Sequence, residues 1–299
     1  MNSARSRLVA LSAAALFVFG ACSASATPAP SSGPKASQVA TVPDDQLLFK
    51  GKLVVCSDMP YPPQEFFDAQ GNPVGADIDM AKAIAARLGL TADIQNSVFD
   101  TIIAAVTGGK CDVIMSAMTI TPDRQKQLDM IPYFMAGQAF LVTKGNPKAF
   151  KTLDDLCGKN IGAESGTTEA AYVKGTDAYA GKGLIKACTD KGKAAPTLKE
   201  YSKDSETVGA LQASQIDIYF GDVPVVANYA TEKAAQFEFA PIPALEGQVQ
   251  GIALPKDKTG LRDAIVKALV ASINDGSYLA ILKQYKIDAG AIKATDVKP

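Results

Sequence analysis

The sequence predicts an α/β protein. From Lys52 onward, short apolar runs with strand character alternate with segments whose apolar residues recur at helical spacing. The length of 299 residues corresponds to about two domains. Hydrophobic residues at 47% and charged residues at 20% are ordinary for a chain that builds real cores.

The first cycle begins with Leu53-Val54-Val55-Cys56, an apolar run short enough for a buried strand. Ile78, Ala81, Ile84, Ala85 and Leu88 then mark one helical face, which Gly89 ends. Ile102, Ile103 and Val106 form a second helical stripe before Gly108-Gly109, and Asp112 to Ser116 reads as another buried strand. The β-α-(β)-α-β order implies a mostly parallel sheet with helices on both faces. A second cycle starts near Leu153. Asn160 to Ala163 reads as a strand, Thr167 to Val173 as a helix start, and Ile216 to Phe220 as a strand leading to Asp222. Leu261 to Ile273 and Ser277 to Tyr285 are helical, separated by Asp275-Gly276.

The N-terminus has the character of an export signal over residues 1–21. Arg5 and Arg7 precede an apolar stretch from Leu8 to Ala21, which is shorter than the ~20 residues that span a bilayer. Phe19-Gly20-Ala21-Cys22 is similar to a bacterial lipoprotein cleavage box, although Leu is usual where Phe19 stands. Lipidation of Cys22 is the expectation; the alternative is ordinary cleavage near Ser23 to Ala26. Residues 22–46 are rich in Ser, Ala, Pro and Thr and read as a flexible tether. The chain is thus expected to work outside the cytoplasm, held to the membrane by lipid alone.

Composition excludes other classes. A net charge of −1 offers no polybasic face for nucleic acid. Histidine is absent, which removes the commonest general base and metal ligand. Cysteines 56, 111, 157 and 188 remain after export into an oxidising compartment; they allow three pairings, or they are buried thiols.

Ser116-Ala117-Met118-Thr119-Ile120-Thr121-Pro122-Asp123-Arg124 is the most specific stretch. It runs from a strand end into a helix, with Thr121 as N-cap and Pro122 at the first helical position. Arg124 falls in the first turn, where its charge opposes the helix dipole unless an anion sits beside it. Its planar guanidinium suits a carboxylate at the end of an α/β sheet; the bland alternative is a surface arginine paired with Asp123 or Asp129. Ser165-Gly166-Thr167-Thr168-Glu169 is a second strand-to-helix turn with amides and hydroxyls for an anion, although such turns also cap ordinary helices. Asp222 ends a strand, where a carboxylate is more often a turn residue than a ligand contact.

These segments stand in the order of a known family, together with Asp58-Met59-Pro60-Tyr61-Pro62-Pro63, Gly75-Ala76-Asp77-Ile78-Asp79, Asp222-Val223-Pro224-Val225, Gly251-Ile252-Ala253-Leu254 and Asp275-Gly276-Ser277-Tyr278. From about Lys50 to Ile287 the chain resembles the family 3 solute-binding proteins, the amino-acid-binding components of ABC importers. The resemblance implies the type II periplasmic-binding-protein fold: two lobes, each a mostly parallel sheet flanked by helices, joined by two hinge crossings. The first lobe is expected at 47–142 plus 246–299 and the second at 143–245. It further implies that Arg124, Thr119 and Thr168 hold the α-carboxylate of a free amino acid. Asp222 and the Ala117 carbonyl would take the α-ammonium, while Tyr61 and Phe99 flank the side chain; Phe99 also suits a core. Three residues depart from the family's pattern: Ala117 where glycine or serine is common, Ala76 where an aromatic is usual, and Gln64 where phenylalanine follows the paired prolines.

Side-chain selectivity in such proteins falls to Glu164, Glu169 and Asp58, with Glu65 nearby. Several carboxylates in a partly desolvated pocket favour a cation, hence arginine, lysine or ornithine. The alternative is a polar neutral ligand such as glutamine, donating its amide to Glu164. Some proteins similar to this family are dehydratases that use a cleft carboxylic acid as proton donor, for which Glu164 or Glu169 would serve. The anchor and tether suit permease subunits of a transporter better. The expectation is therefore a monomeric binding protein without catalytic residues, cofactor or metal. Cys157 and Cys188 fall in the second lobe with a polar, glycine-rich stretch between them and are expected to pair. Cys56 lies late in its strand and Cys111 precedes another; parallel neighbours can be offset beyond the ~7 Å Cα limit for a bridge, so that pairing stays open.

Overall fold

The computed structural model describes residues 37–298. The export signal, Cys22 and the tether up to residue 36 lie outside the described residues. Residues nearer the fold do not hang free: the Val39 amide donates to the Arg87 carbonyl at 2.8 Å, and Ala40 and Val42 pack against the core. A stretch that composition alone marks as tether therefore docks on the fold well before residue 47, because two small apolar side chains find cover there.

The first lobe starts with β1 (Lys52–Ser57), which pairs in parallel with β4 (Thr91–Asn96) on one side and β5 (Val113–Ile114) on the other. A small hairpin, β2 (Phe66–Phe67) and β3 (Pro73–Val74), lies between β1 and α1 (Ala76–Arg87); α2 (Phe99–Thr107) follows β4. The apolar run of β1 is continuous because both faces of the strand are covered. Leu53 and Val55 join Met80 and Ile84 of α1, whereas Val54 and Cys56 join Ile102 and Val106 of α2.

After α3 (Pro122–Gln127) the chain enters β6 (Leu128–Thr143), a 16-residue strand that carries it into the second lobe. That lobe contains β7 (Asn160–Glu164), α4 (Thr168–Lys174), α5 (Leu184–Thr189), β8 (Thr197–Tyr201), α6 (Asp204–Gln212), β9 (Ile218–Asp222), α7 (Val223–Glu232) and β10 (Phe237–Phe239). Strand β7 pairs in parallel with β8 and β9. Again the two faces of a strand serve different layers: Ile218 and Phe220 fill one core cluster and Tyr219 the other, with Phe220 stacked on Phe140 at 4.2 Å.

Strand β11 (Leu245–Pro255) returns the chain to the first lobe, where α8 (Thr259–Asn274) and α9 (Ser277–Gln284) complete the core. The sequence predicts a mostly parallel sheet in each lobe; the structure has one mixed sheet, ordered β4-β1-β5-β11-β6-β9-β7-β8, with β10 added on β6. The two crossings cause the difference. Strands β6 and β11 pair antiparallel with each other, from Leu128↔Pro255 to Gln138↔Leu245, so they fuse the two parallel halves.

Both cysteine pairs are disulfides. Cys157–Cys188 spans 5.6 Å between Cα atoms and Cys56–Cys111 spans 5.8 Å. The offset that left the second pairing open does not arise. Strand β5 is only two residues long, so Cys111 lies off its line, and its side chain packs in the same cluster as Cys56.

Candidate functional site

A cavity lies where the strand ends of the two lobes face each other. Every residue expected to contact ligand lines it: Asp58, Tyr61, Phe99, Ala117, Thr119 and Arg124 from the first lobe, Glu164, Thr168 and Asp222 from the second.

Arg124 is placed by the local rules that its sequence announces. The Thr121 hydroxyl accepts from the Arg124 amide at 3.3 Å and so caps α3, with Pro122 in the first turn. The guanidinium is buried, with Nη1 donating to the Thr119 carbonyl at 2.7 Å and Nη2 reaching across the cleft to the Gly166 carbonyl at 2.9 Å. It sits 5.3 Å from the centre of the Phe99 ring, a cation–π contact. Among the described residues no carboxylate lies within ion-pair distance of it. Burial holds its pKa below the usual arginine value, offset in part by Glu169, Asp177 and Asp222. A buried cation held by two neutral carbonyls is left without a counter-ion among the described residues.

Opposite it stand Glu169 and Asp222, two buried carboxyl groups lining the same cavity. Burial raises the pKa of both, and the Glu169 charge adds to the rise at Asp222. Asp222 Oδ2 accepts from the Tyr61 hydroxyl at 3.1 Å and from Gln250 Nε2 at 3.0 Å. Gln64, the departure from the family's phenylalanine, is fully buried and donates to Gln250 Oε1 at 2.8 Å. Gln64 thus orients the amide that orients Asp222. Thr168 opens α4, and its hydroxyl accepts from Gln138 Nε2 at 2.9 Å.

The far end of the cavity is acidic. Asp58, just past the end of β1, accepts from the Phe99 amide at 2.7 Å through Oδ2 and lines the cavity together with Glu164. Its Oδ1 makes an ion pair with Lys203, which reaches over from the second lobe and also donates to the Ser97 carbonyl at 3.0 Å. Burial, then the charges of Asp58 and Asp204, push Glu164 up to about 10. Glu65 accepts from the Ser116 hydroxyl at 2.8 Å, and burial beside Asp77 raises its pKa well above the carboxylate range. Glu65 Oε2, Glu164 Oε1 and Glu169 Oε1 are buried without a hydrogen-bond partner in the protein. Buried polar atoms ordinarily have one, so these three are candidate acceptors for hydrogen bonds from a ligand.

Asp77 supports the wall between the two ends. It accepts from the Ala117 amide at 2.8 Å and from the Tyr133 hydroxyl at 2.5 Å. Ala117 has φ of +46°, the left-handed region that favours glycine. Three residues that touch this constellation escape sequence reasoning: Gln138, Lys203 and Gln250. Lys203 lies in the charged run Lys199-Glu200-Tyr201-Ser202-Lys203-Asp204, which looks like an ordinary solvated surface; its sole signal is a cation at a helix N-terminus, where a cation is disfavoured.

Two lobes bridged by paired strands, with a cleft that sets a buried cation opposite carboxylates, define a solute-binding protein. Residues 53–288 match the bacterial extracellular solute-binding proteins, family 3, and the chain belongs to that family. It is 32% identical over 236 residues to the ABC transporter arginine-binding protein 1 of Escherichia coli (strain K12), an alignment covering 75% of this chain and 86% of that protein. Among solved structures, an ancestral arginine-binding protein bound to arginine superposes with a TM-score of 0.70 at 36% identity, over 79% of this chain and 98% of its own. An ancestral arginine-binding protein bound to glutamine superposes with a TM-score of 0.71 at 34% identity, over 80% and 99%.

Proposed function

We propose that this chain is the extracytoplasmic substrate-binding component of an amino-acid ABC importer and that it captures a free basic amino acid: arginine, lysine or ornithine. One observation carries the reading: the buried Arg124 guanidinium has no carboxylate partner among the described residues and faces the carboxyl groups of Glu169 and Asp222 across one cavity. An α-amino acid supplies both complements, its carboxylate to Arg124, Thr119 and Thr168 and its ammonium to Asp222 and the Ala117 carbonyl. The side chain then extends between Tyr61 and Phe99 toward Glu164 and Glu65, whose unpartnered oxygens take donors from a cationic end group. Calorimetric titration with arginine, lysine, ornithine and glutamine tests this. Tightest binding of a basic ligand supports it, and tightest binding of glutamine overturns the basic assignment.

Glutamine is the second reading for a specific reason. Lys203 already neutralises Asp58, and a protonated Glu164 can itself donate to a neutral amide. The remaining parts of the proposal are a lipid on Cys22, permease subunits as partners, a monomeric state and the absence of catalysis. Replacing Cys22 by alanine should release the protein from the membrane fraction; retention would refute lipid anchoring. Turnover of arogenate or prephenate by the purified chain would refute the non-catalytic role.

A further inference from the structure

Five carboxyl groups line the cavity, from Asp58, Glu65, Glu164, Glu169 and Asp222. Among the described residues, Asp58 is the member of this set held in an ion pair, and its partner comes from the other lobe. Lys203 precedes α6, where the helix dipole disfavours a cation, and its side chain is 20% exposed against 5% for that of Asp58. The lysine is not part of the cavity wall; it reaches Asp58 from behind and is anchored a second time on the Ser97 carbonyl. Asp58 and Glu164 line the same cavity, and the Lys203 charge opposes that of Asp58 at Glu164.

We propose that Lys203 is a specificity-setting residue: by neutralising Asp58 from the opposite lobe, it lowers the net negative charge that the Asp58–Glu164 end of the cavity presents to a ligand side chain, and so fixes how strongly the site prefers a basic over a neutral amino acid. The inference rests on the reading that the ligand is an amino acid whose side chain points to this end. With Lys203 in place, Asp58 and Lys203 together carry no net charge, and a neutral side chain is accommodated beside a protonated Glu164. Without it, two carboxyl groups lining one cavity are left to be neutralised by the ligand, which a cationic side chain does and a neutral amide does not. Lys203 acts through Asp58 rather than by touching ligand, so the property it moves is the ratio of affinities.

The experiment measures Kd for L-arginine, L-lysine and L-glutamine by calorimetry on the wild type, Lys203→Met and Lys203→Arg, after thermal melts establish that each is folded. The methionine keeps the length of the side chain and removes its charge; the arginine restores the charge. The expected result is a rise of tenfold or more in the arginine-to-glutamine affinity ratio for Lys203→Met, with the ratio near wild type for Lys203→Arg. If Lys203→Met weakens all three ligands by the same factor, Lys203 merely latches the lobes and the inference fails while the amino-acid reading stands. If the wild type binds none of the three, the amino-acid reading itself fails. Should Lys203→Met not fold, Lys203→Gln carries the same comparison.

Discussion

The Tyr61 hydroxyl on the first lobe donates to Asp222 Oδ2 on the second at 3.1 Å, and the Asp222 amide donates back to the same hydroxyl oxygen at 3.3 Å. One side chain thereby fixes both the backbone and the carboxylate of the residue assigned to the ligand's ammonium, and does so only with the lobes together. Tyr61→Phe should weaken amino-acid binding by about 1–2 kcal/mol, the range for a buried hydrogen bond whose partner is left unsatisfied. Unchanged affinity in calorimetry would show that Asp222 needs no such support.

Arg124→Ala removes the buried cation that is held by Thr119 and Gly166. Loss of a charge-assisted pair with the ligand carboxylate should cost about 3 kcal/mol or more of binding. Because the carboxylate is common to all α-amino acids, the loss should be similar for every ligand tested. Near wild-type affinity would sink the assignment.

Glu164→Gln separates the two ligand readings. A cationic side chain loses a buried partner and should bind about 2 kcal/mol or more weaker. Glutamine should be nearly indifferent, since the new amide also supplies hydrogen-bonding groups. Parallel titrations with arginine and glutamine check this; equal losses would mean that Glu164 shapes the cavity without reading charge.

The pH dependence of binding should differ between the same two ligands. Burial beside Asp58 and Asp204 raises Glu164 to about 10 in the closed cleft, with Lys203 opposing the shift. A neutral ligand leaves that value raised, so closing around it takes up a proton relative to a cleft open to water. The advantage is complete below the ordinary carboxylate range and is lost as pH rises toward about 10. A cationic side chain beside Glu164 holds the group ionised and flattens the dependence. Glu65, raised by burial at the same end, acts in the same direction as Glu164, whereas the raised values of Glu169 and Asp222 face the α-amino end and act on both ligands alike. Glutamine affinity should therefore fall from about pH 6 to about pH 8 more steeply than arginine affinity. Parallel slopes in calorimetry would contradict this.

Both disulfides should contribute to stability, because each closes a long loop of the unfolded chain. With sequence separations of 31 for Cys157–Cys188 and 55 for Cys56–Cys111, each is expected to be worth about 3–4 kcal/mol. Urea unfolding of the paired serine variants measures this. Non-reducing peptide mapping that finds free thiols at 157 and 188 in exported protein would refute the pairing.

The parts of the site that were legible in the sequence are those with a local reason to be there. Thr121, Pro122 and Arg124 announce a capped helix start, and Gly166 with Thr167 announces another; both turns bring their residues to the cavity. Lys203 and Gln250 have no such local reason. Each matters through a partner far along the chain, Asp58 for the first and both Gln64 and Asp222 for the second. The mixed sheet was hidden for a similar reason. Pro132 and Gly137 interrupt the reading of β6 as a strand, and its partner β11 is separated from it by the whole second lobe. The apolar run of β1, by contrast, was readable because burial on both faces leaves a signature within four residues.

The route of the chain also dictates an order of assembly. Everything between β6 and β11 is continuous, whereas the core around Leu53, Met80 and Ile84 is completed by Leu261, Ile265, Leu269 and Tyr278 from the last two helices. A chain that emerges N-terminus first therefore carries the complete inner lobe before it can seal the outer one. Until α8 and α9 arrive, the face of α1 that they cover remains bare apolar surface, the kind of surface on which chaperones and proteases act. A chain cut before Thr259 would be arrested in that condition, with every residue of the ligand cavity present and no sealed lobe to hold half of them in place.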